Sequence, residues 1–100
     1  MSMSVSIREE IIARADEIRA VLSGCSASYP RLFGSVARGD DGPDSDVDLL
    51  VDAGGGCSLL DLCRAEIELE RRFGREFDVV TIAGLHPSIR PAALAQAVAL

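Results

Sequence analysis

The sequence has few aromatic residues and no run of basic ones. Only 4% of its 100 residues are aromatic, none of them tryptophan, although 48% are hydrophobic. So much apolar surface in a small domain exceeds what one core takes up, which predicts an interface with a partner protein or a second copy. One hundred residues suffice for a single domain over residues 1–100 and are too few for a second, substrate-holding domain.

The charge balance argues against one class of ligand. The chain carries 10 basic and 16 acidic side chains, for a net charge of -6. Stable binding to nucleic acid depends on basic side chains that neutralise phosphates. The composition therefore predicts no direct binding to nucleic acid.

The cysteines and the lack of long apolar runs predict the compartment. Cys25, Cys57 and Cys63 form no C-x-x-C pair and, being odd in number, cannot all be bridged. No charged-then-apolar leader precedes Ile7, and no apolar run is long enough to span a bilayer. We predict free thiols, a cytoplasmic location and no membrane contact.

The spacing of apolar residues predicts an α/β (α+β) fold. Helical periodicity with capping boxes and glycine stops alternates with strand periodicity. In chain order we predict a helix over 6–23, a strand over 29–33 with Pro30 at its start or edge, an irregular loop over 36–44, a strand over 47–52, a helix from Ser58 to about Phe73, a strand over 76–82 and a helix over 92–98 with Pro91 in its first turn. The result is a small mixed sheet of about three to four strands flanked by helices.

Two details of this prediction bear on packing. The strand, helix and strand from 47 to 82 predict a crossover between parallel strands. The helix between these strands carries a broad apolar face made of Leu59, Leu62, Cys63, Ile67, Leu69 and Phe73.

Residues 33–51, FGSVARGDDGPDSDVDLLV, contain the groups suited to chemistry. Asp46 and Asp48 are two residues apart in a strand pattern, so their carboxylates leave on the same face. Two carboxylates that close require either a raised pKa or a hard divalent cation. Gly34 and Ser35 end an apolar run and offer backbone N–H groups and a hydroxyl to a phosphate. The stretch therefore predicts a nucleotide site.

The spacing of these groups resembles a known family. Gly34 and Ser35, then ten residues, then Asp46, Val47 and Asp48 form the pattern G-S-x10-D-x-D. This pattern is similar to that of the polymerase-beta-like nucleotidyltransferases. With Ala37, Arg38 and Gly39 in the loop, the chain resembles most the minimal nucleotidyltransferases, small domains often encoded as antitoxins beside HEPN-type toxins. Four fixed residues at fixed spacing arise by chance about once per hundred thousand start positions.

The resemblance implies a nucleotidyltransferase fold. It also implies the transfer of AMP from ATP to a hydroxyl group, that of a tyrosine of a partner HEPN toxin. The protein would form a homo-oligomer or a complex with that toxin. It assigns catalysis and the binding of two Mg2+ ions to three aspartates: Asp46, Asp48 and Asp78. It assigns nucleotide binding to four further residues: Gly34, Ser35, Arg38 and Ser45.

Several alternatives stay open on the sequence alone. One alternative is an antitoxin that neutralises the same partner by binding it, without catalysis. Another is nucleotidyl transfer to a small molecule, which would need an acceptor-binding domain. Asp78 is also explained as a strand-end carboxylate that reaches water. Arg38 is equally explained by a salt bridge to Asp40, Asp44 or Asp48. His86, the only histidine, precedes a proline and is predicted to be a loop residue.

Overall fold

The computed structural model describes residues 6–39, 42, 45–53 and 55–100. In chain order the elements are α1 (Ile7–Ala13), α2 (Ala15–Ser23), β1 (Ala27–Phe33), α3 (Gly34–Arg38), β2 (Val47–Ala53), α4 (Leu59–Phe73), β3 (Phe77–Thr81), α5 (Arg90–Gln96) and β4 (Val98–Ala99). The strands form a four-stranded sheet in the order β3-β2-β1-β4. β2 and β3 are parallel, whereas β1 is antiparallel to both β2 and β4. The predicted mixed sheet with flanking helices is confirmed.

The first helical segment is broken, and the prediction of one helix over 6–23 is wrong. The backbone at Arg14 has φ -108° and ψ 24°, outside the helical range, and separates α1 from α2. The Arg14 guanidinium donates hydrogen bonds to the Glu17 carboxylate and to the carbonyl of Arg72, and lies 3.8 Å from the centre of the Phe73 ring. The break coincides with these contacts to the end of α4, which apolar spacing within the segment cannot reveal.

Pro30 lies inside a central strand, not at a strand start or edge as predicted. β1 begins at Ala27 and pairs on both sides, and its register with β2 shifts between Ser28 and Arg31. Such a bulge leaves one residue without a ladder partner, so a proline without an N–H group is tolerated there. The Pro30 carbonyl still accepts a hydrogen bond of 3.0 Å from the N–H of Leu100.

The crossover from β2 through α4 to β3 follows the prediction closely. A capping box opens α4: the Ser58 hydroxyl accepts from the N–H of Asp61, and the Asp61 carboxylate accepts from the N–H of Ser58. Gly74 ends the helix at φ +68°, where a side chain would be strained. The pairing of β2 with β3 is parallel over Val47 to Val51.

The buried face of α4 is narrower than predicted. Leu62, Ala65, Leu69 and Phe73 are buried against the sheet. Leu59 and Ile67, which we had assigned to that face, are 78% and 59% exposed, and Cys63 is also exposed. Apolar residues cover more than one face of this helix, so periodicity alone cannot tell which stripe the sheet covers.

The C-terminal segment contributes both a helix and a strand. α5 begins with Pro91 in its first turn, as predicted, but ends at Gln96, and Val98 pairs with Leu32 of β1 instead of extending the helix. No helix in the described part of the chain is long and apolar enough to cross a membrane.

Replacing Ser58 with alanine should destabilise the protein by about 1 kcal/mol, because the first turn of α4 loses its side-chain cap. For a chain of this size that corresponds to a decrease in Tm of about 4–8 °C, measured by thermal unfolding followed by circular dichroism. Ser23→Ala, at the exposed end of α2, is the matched control and should leave Tm unchanged. An unchanged Tm for Ser58→Ala would show that the cap contributes nothing.

The same cap predicts a pH dependence. Hydrogen bonds from Ser58 lower the pKa of Asp61 below its ordinary value. A carboxylate whose pKa is lower in the folded state stabilises the fold above its unfolded pKa, and this stabilisation is lost as the pH falls through the folded pKa. The Tm difference between the wild type and Asp61→Ala, which lacks this carboxylate, should therefore shrink on acidification.

Candidate active site

The parallel pairing of β2 and β3 brings two of the predicted aspartates side by side. Asp48 is opposite Asp78 in the register, so both side chains leave the sheet on the same face. Asp48 is half-buried and Asp78 is exposed. Asp46, also exposed, directly precedes β2. The sheet thus assembles carboxylates that lie thirty residues apart in the chain.

The turn after β1 packs against the same carboxylate. Phe33, the last residue of β1, is opposite Asp48 in the antiparallel register, and Gly34 follows it with φ +75°. A Cβ atom placed on Gly34 would lie 2.5 Å from Oδ2 of Asp48, closer than atoms can approach. The positive φ favours glycine here, and any side chain would also displace the carboxylate of Asp48.

The pKa of Asp48 is raised by its surroundings. Burial raises its pKa above the ordinary value, the carboxylates of Asp78 and Asp46 raise it further, and the guanidinium of Arg38 opposes them. Repulsion among neighbouring carboxylates is relieved when a cation binds between them. The site is therefore arranged to attract positive charge.

The carboxylates fit a hard divalent cation that is also held by other ligands. Within the described residues, no group of three or more acidic, histidine or cysteine side chains is assembled as a ready metal site. Mg2+ retains several waters and is commonly bound by one or two carboxylates together with substrate phosphates, without a complete protein cage. Asp48 and its neighbours fit this mode of binding, in which the nucleotide completes the coordination.

The segment after Gly34 is helical where a loop was predicted. Val36 to Arg38 belong to α3, and Gly39 ends this helix with φ +78°. Phe33 at the N-cap provides no side-chain hydrogen bond to the first turn. The irregular-loop prediction over 36–44 is therefore wrong for Val36 to Arg38. The residues 40, 41, 43 and 44 lie outside the described part of the chain.

The remaining predicted residues surround this turn. Ser35 is in the first turn of α3, and Arg38, at its end, is exposed and close enough to Asp48 to lower its pKa. The hydroxyl of Ser45 accepts a hydrogen bond of 2.7 Å from the N–H of Gly42, so it braces the loop before β2. Two of the salt-bridge partners suggested for Arg38, Asp40 and Asp44, lie outside the described residues. The catalytic and binding roles of these residues stay predictions.

One residue near the aspartates was not singled out from the sequence. Glu66 of α4 accepts a hydrogen bond of 2.7 Å from the N–H of Val79. Burial raises the pKa of Glu66, and the nearby carboxylate of Asp78 adds to the increase. Nothing in its linear surroundings distinguishes Glu66 from the other acids of α4. Its position becomes apparent only when α4 is packed along β3.

The side chains for which we predicted no role lie elsewhere. His86 is exposed in a loop, where its Nδ1 atom is 2.7 Å from the hydroxyl of Ser88. The prediction of free thiols is confirmed, since Cys25, Cys57 and Cys63 are unpaired.

The comparison with known proteins agrees with this geometry. Residues 31–100 match the family described as the nucleotidyltransferase domain. The chain belongs to this family. This nucleotidyltransferase is 46% identical over 67 residues to a protein of Methanocaldococcus jannaschii with the provisional name protein adenylyltransferase MJ0435, a match over 67% of this chain and 72% of that protein. The predicted enzyme class is therefore confirmed.

Solved structures show the same fold. A protein provisionally described as a minimal nucleotidyltransferase superposes with a TM-score of 0.83 at 39% identity, over 93% of this nucleotidyltransferase and 95% of that chain. A toxin-antitoxin structure with AMP-PNP and a mutant of the toxin-antitoxin MntA-HpeT give TM-scores of 0.72 and 0.70 at 19% and 15% identity. Each match covers 84% of this chain and 69% of the other. At such low identity these two show the shared fold alone.

Proposed function

We propose that this nucleotidyltransferase transfers AMP from ATP to a tyrosine hydroxyl of a HEPN-family toxin, and thereby acts as an antitoxin. The observation that carries the proposal is the close approach of the Gly34 turn to Asp48, which itself lies beside Asp78. A phosphate-binding turn next to a pair of carboxylates suits the transfer of a nucleotidyl group. The provisional name of the M. jannaschii relative and the toxin-antitoxin proteins of the same fold support the choice of acceptor.

Six of the seven predicted site residues take part in the proposed reaction. The N–H groups at the start of α3, together with the hydroxyl of Ser35, bind the terminal phosphates of ATP, and Arg38 neutralises part of their charge. Three carboxylates would hold Mg2+: Asp46, Asp48 and Asp78. When bound, Mg2+ lowers the pKa of the attacking hydroxyl and stabilises the departing pyrophosphate. Asp78, the exposed member of the pair with Asp48, accepts the proton of that hydroxyl.

The acceptor and the compartment follow from the same proposal. Residues 1–100 act as one domain, and the surface that presents the hydroxyl comes from the partner. A cytoplasmic location provides ATP and keeps the unpaired cysteines reduced.

The proposal is tested by incubating the protein with Mg2+, the toxin encoded beside it and ATP labelled on the α-phosphate. Label should appear on the toxin and should disappear when the acceptor tyrosine is replaced by phenylalanine. ATP labelled on the γ-phosphate should transfer nothing, because the terminal phosphates leave as pyrophosphate. Absence of transfer to an authenticated toxin would overturn the proposal.

Exposed apolar residues favour a second candidate, an antitoxin that acts by binding alone. Leu59, Leu60 and Ile67 of α4 are 78%, 60% and 59% exposed. Leu60 and Ile67 are seven residues apart and so lie on the same face of α4, and large apolar side chains exposed on one face are typical of an interface. Neutralisation by complex formation would use such a surface without chemistry at Asp48, and the Asp48 variant described in the Discussion separates the two candidates.

A further inference from the structure

The edge of the sheet at β3 is closed by side chains of α4. β3 is the outer strand and pairs on one side with β2. On the other side, the N–H of Val79 donates a hydrogen bond of 2.7 Å to the carboxylate of Glu66, and the N–H of Phe77 donates one of 3.4 Å to that of Glu70. Backbone groups at a sheet edge would otherwise face water or attract another strand. Two glutamates of the crossover helix therefore take the place of a neighbouring strand.

These two hydrogen bonds lie on either side of Asp78. The N–H groups that are held belong to the residues directly before and after this aspartate. The Glu66 carboxyl group is also close to that of Asp78. Glu66 thus holds the backbone directly after Asp78 through a short bond, whereas Glu70 holds the backbone before it through a longer one.

We propose that Glu66 is a positioning residue, which anchors β3 to α4 and so fixes the carboxylate of Asp78 beside Asp48. The proposal rests on the proposed function for the role of Asp78 in the transfer. Glu66 itself holds neither nucleotide nor metal in this assignment. Its role is to hold the strand, because among the described residues β2 is the one strand that pairs with β3.

The size of the effect follows from the geometry that group transfer demands. A displacement of about 1 Å in a reacting group can lower the rate by about 100-fold. Loss of the short Val79 bond would allow β3 to move relative to β2 around Val79, and Asp78 would move with it. The phosphate-binding turn at Gly34 belongs to another part of the sheet and should stay in place.

Three variants of Glu66 distinguish the effect of its hydrogen bond to Val79 from the effect of its negative charge. Glu66→Gln keeps an oxygen that accepts from the N–H of Val79, so its kcat should stay within about threefold of wild type. Glu66→Ala removes this acceptor, and its kcat should fall about 10- to 100-fold with the KM for ATP nearly unchanged. Glu66→Asp keeps the charge but is one methylene too short, and it should resemble Glu66→Ala. Glu70→Ala is the matched control and should keep kcat within about threefold, because Glu70 does not hold Val79.

A second measurement does not depend on catalysis. Amide hydrogen exchange in the unliganded protein should accelerate at Val79 in Glu66→Ala and Glu66→Asp and stay slow in Glu66→Gln. The NMR signal of the Asp78 carboxyl carbon should shift in the same two variants. If the exchange rates and the Asp78 signal of the variants change in this way but the wild type transfers no AMP to any toxin, the proposed function fails while the anchoring by Glu66 holds.

The proposal would be overturned by any of three results. Unchanged exchange at Val79 in Glu66→Ala would show that the hydrogen bond does not hold the strand. A wild-type kcat in Glu66→Ala, measured on an active enzyme, would show that the anchor does not matter for transfer. A loss in Glu66→Gln as large as in Glu66→Ala would show that the negative charge is required, which is a catalytic role instead of a positioning one.

Discussion

Replacing Asp48 with asparagine should lower the rate of AMP transfer by at least about 100-fold. Of the three aspartates, Asp48 is the one that lies next to both other predicted groups. It lies against the Gly34 turn, is opposite Asp78 in the register, and is close enough to Asp46 for that carboxylate to affect its pKa. An amide of the same size keeps the packing and removes the negative charge that attracts a divalent cation. The rate is measured with ATP labelled on the α-phosphate and the toxin as acceptor.

The same variant should be more stable than the wild type. The pKa of Asp48 is raised in the folded protein, so its ionised form destabilises the fold above the unfolded pKa, and stability returns as the pH falls through the folded pKa. Because Asp48 is only half-buried, solvent screens much of this repulsion, and we expect an increase in Tm of about 1–4 °C at neutral pH. The gain should vanish in acid, where Asp48 is protonated in both states.

A matched control lies on the same strand. Asp52 is near the far end of β2, where it pairs with Arg31 at 4.0 Å, and Asp52→Asn makes the same chemical change away from the site. It should leave the transfer rate unchanged and should not raise Tm. Equal losses of activity in Asp48→Asn and Asp52→Asn would contradict a specific role for Asp48.

Asp48→Asn also separates the two candidate functions. If the protein neutralises its toxin by adenylylation, co-expressed Asp48→Asn should fail to protect cells although the two proteins still bind. If the protein acts by binding alone, the variant should protect as well as the wild type. Full protection by a variant that transfers no AMP would therefore replace the first function with the second.

Replacing Gly34 with alanine should abolish most of the activity and also destabilise the fold. At φ +75° an alanine is strained by about 1–2 kcal/mol. In addition, its Cβ would overlap Oδ2 of Asp48 at 2.5 Å, so the carboxylate of Asp48 must rotate or shift out of its position. We expect the transfer rate to fall at least about 100-fold, and Tm to fall by about 5–15 °C.

Gly74→Ala distinguishes the overlap from the backbone strain. Gly74 ends α4 at φ +68°, and no atom lies within 4 Å of the place where its Cβ would be. This variant should lose stability because of a similar backbone strain. At a temperature below its Tm, it should transfer AMP at the rate of the wild type. If Gly74→Ala lost as much activity as Gly34→Ala, strain alone would explain both, and the contact between Gly34 and Asp48 would have no special part in transfer.

The predictions from sequence succeeded where a short segment carries the whole signal. The Ser58 cap and the Gly74 stop of α4 were predicted correctly because capping depends on residues within one turn of the helix end. The break at Arg14 and the bulge at Pro30 were missed because both involve distant partners, the end of α4 for Arg14 and strands β2 and β4 for Pro30. Local patterns report long-range contacts only indirectly.

By itself, the sequence determined the family, because the pattern from Gly34 to Asp48 that predicts it lies within one short segment. Only the tertiary structure decided which groups meet. The parallel register sets Asp78 opposite Asp48, and the antiparallel register sets the Gly34 turn against the same carboxylate. The packing of α4 along β3 brings Glu66 to the N–H of Val79, the residue after Asp78. These neighbours belong to different elements, and their proximity depends on strand order, register and helix packing, which no local stretch of sequence specifies.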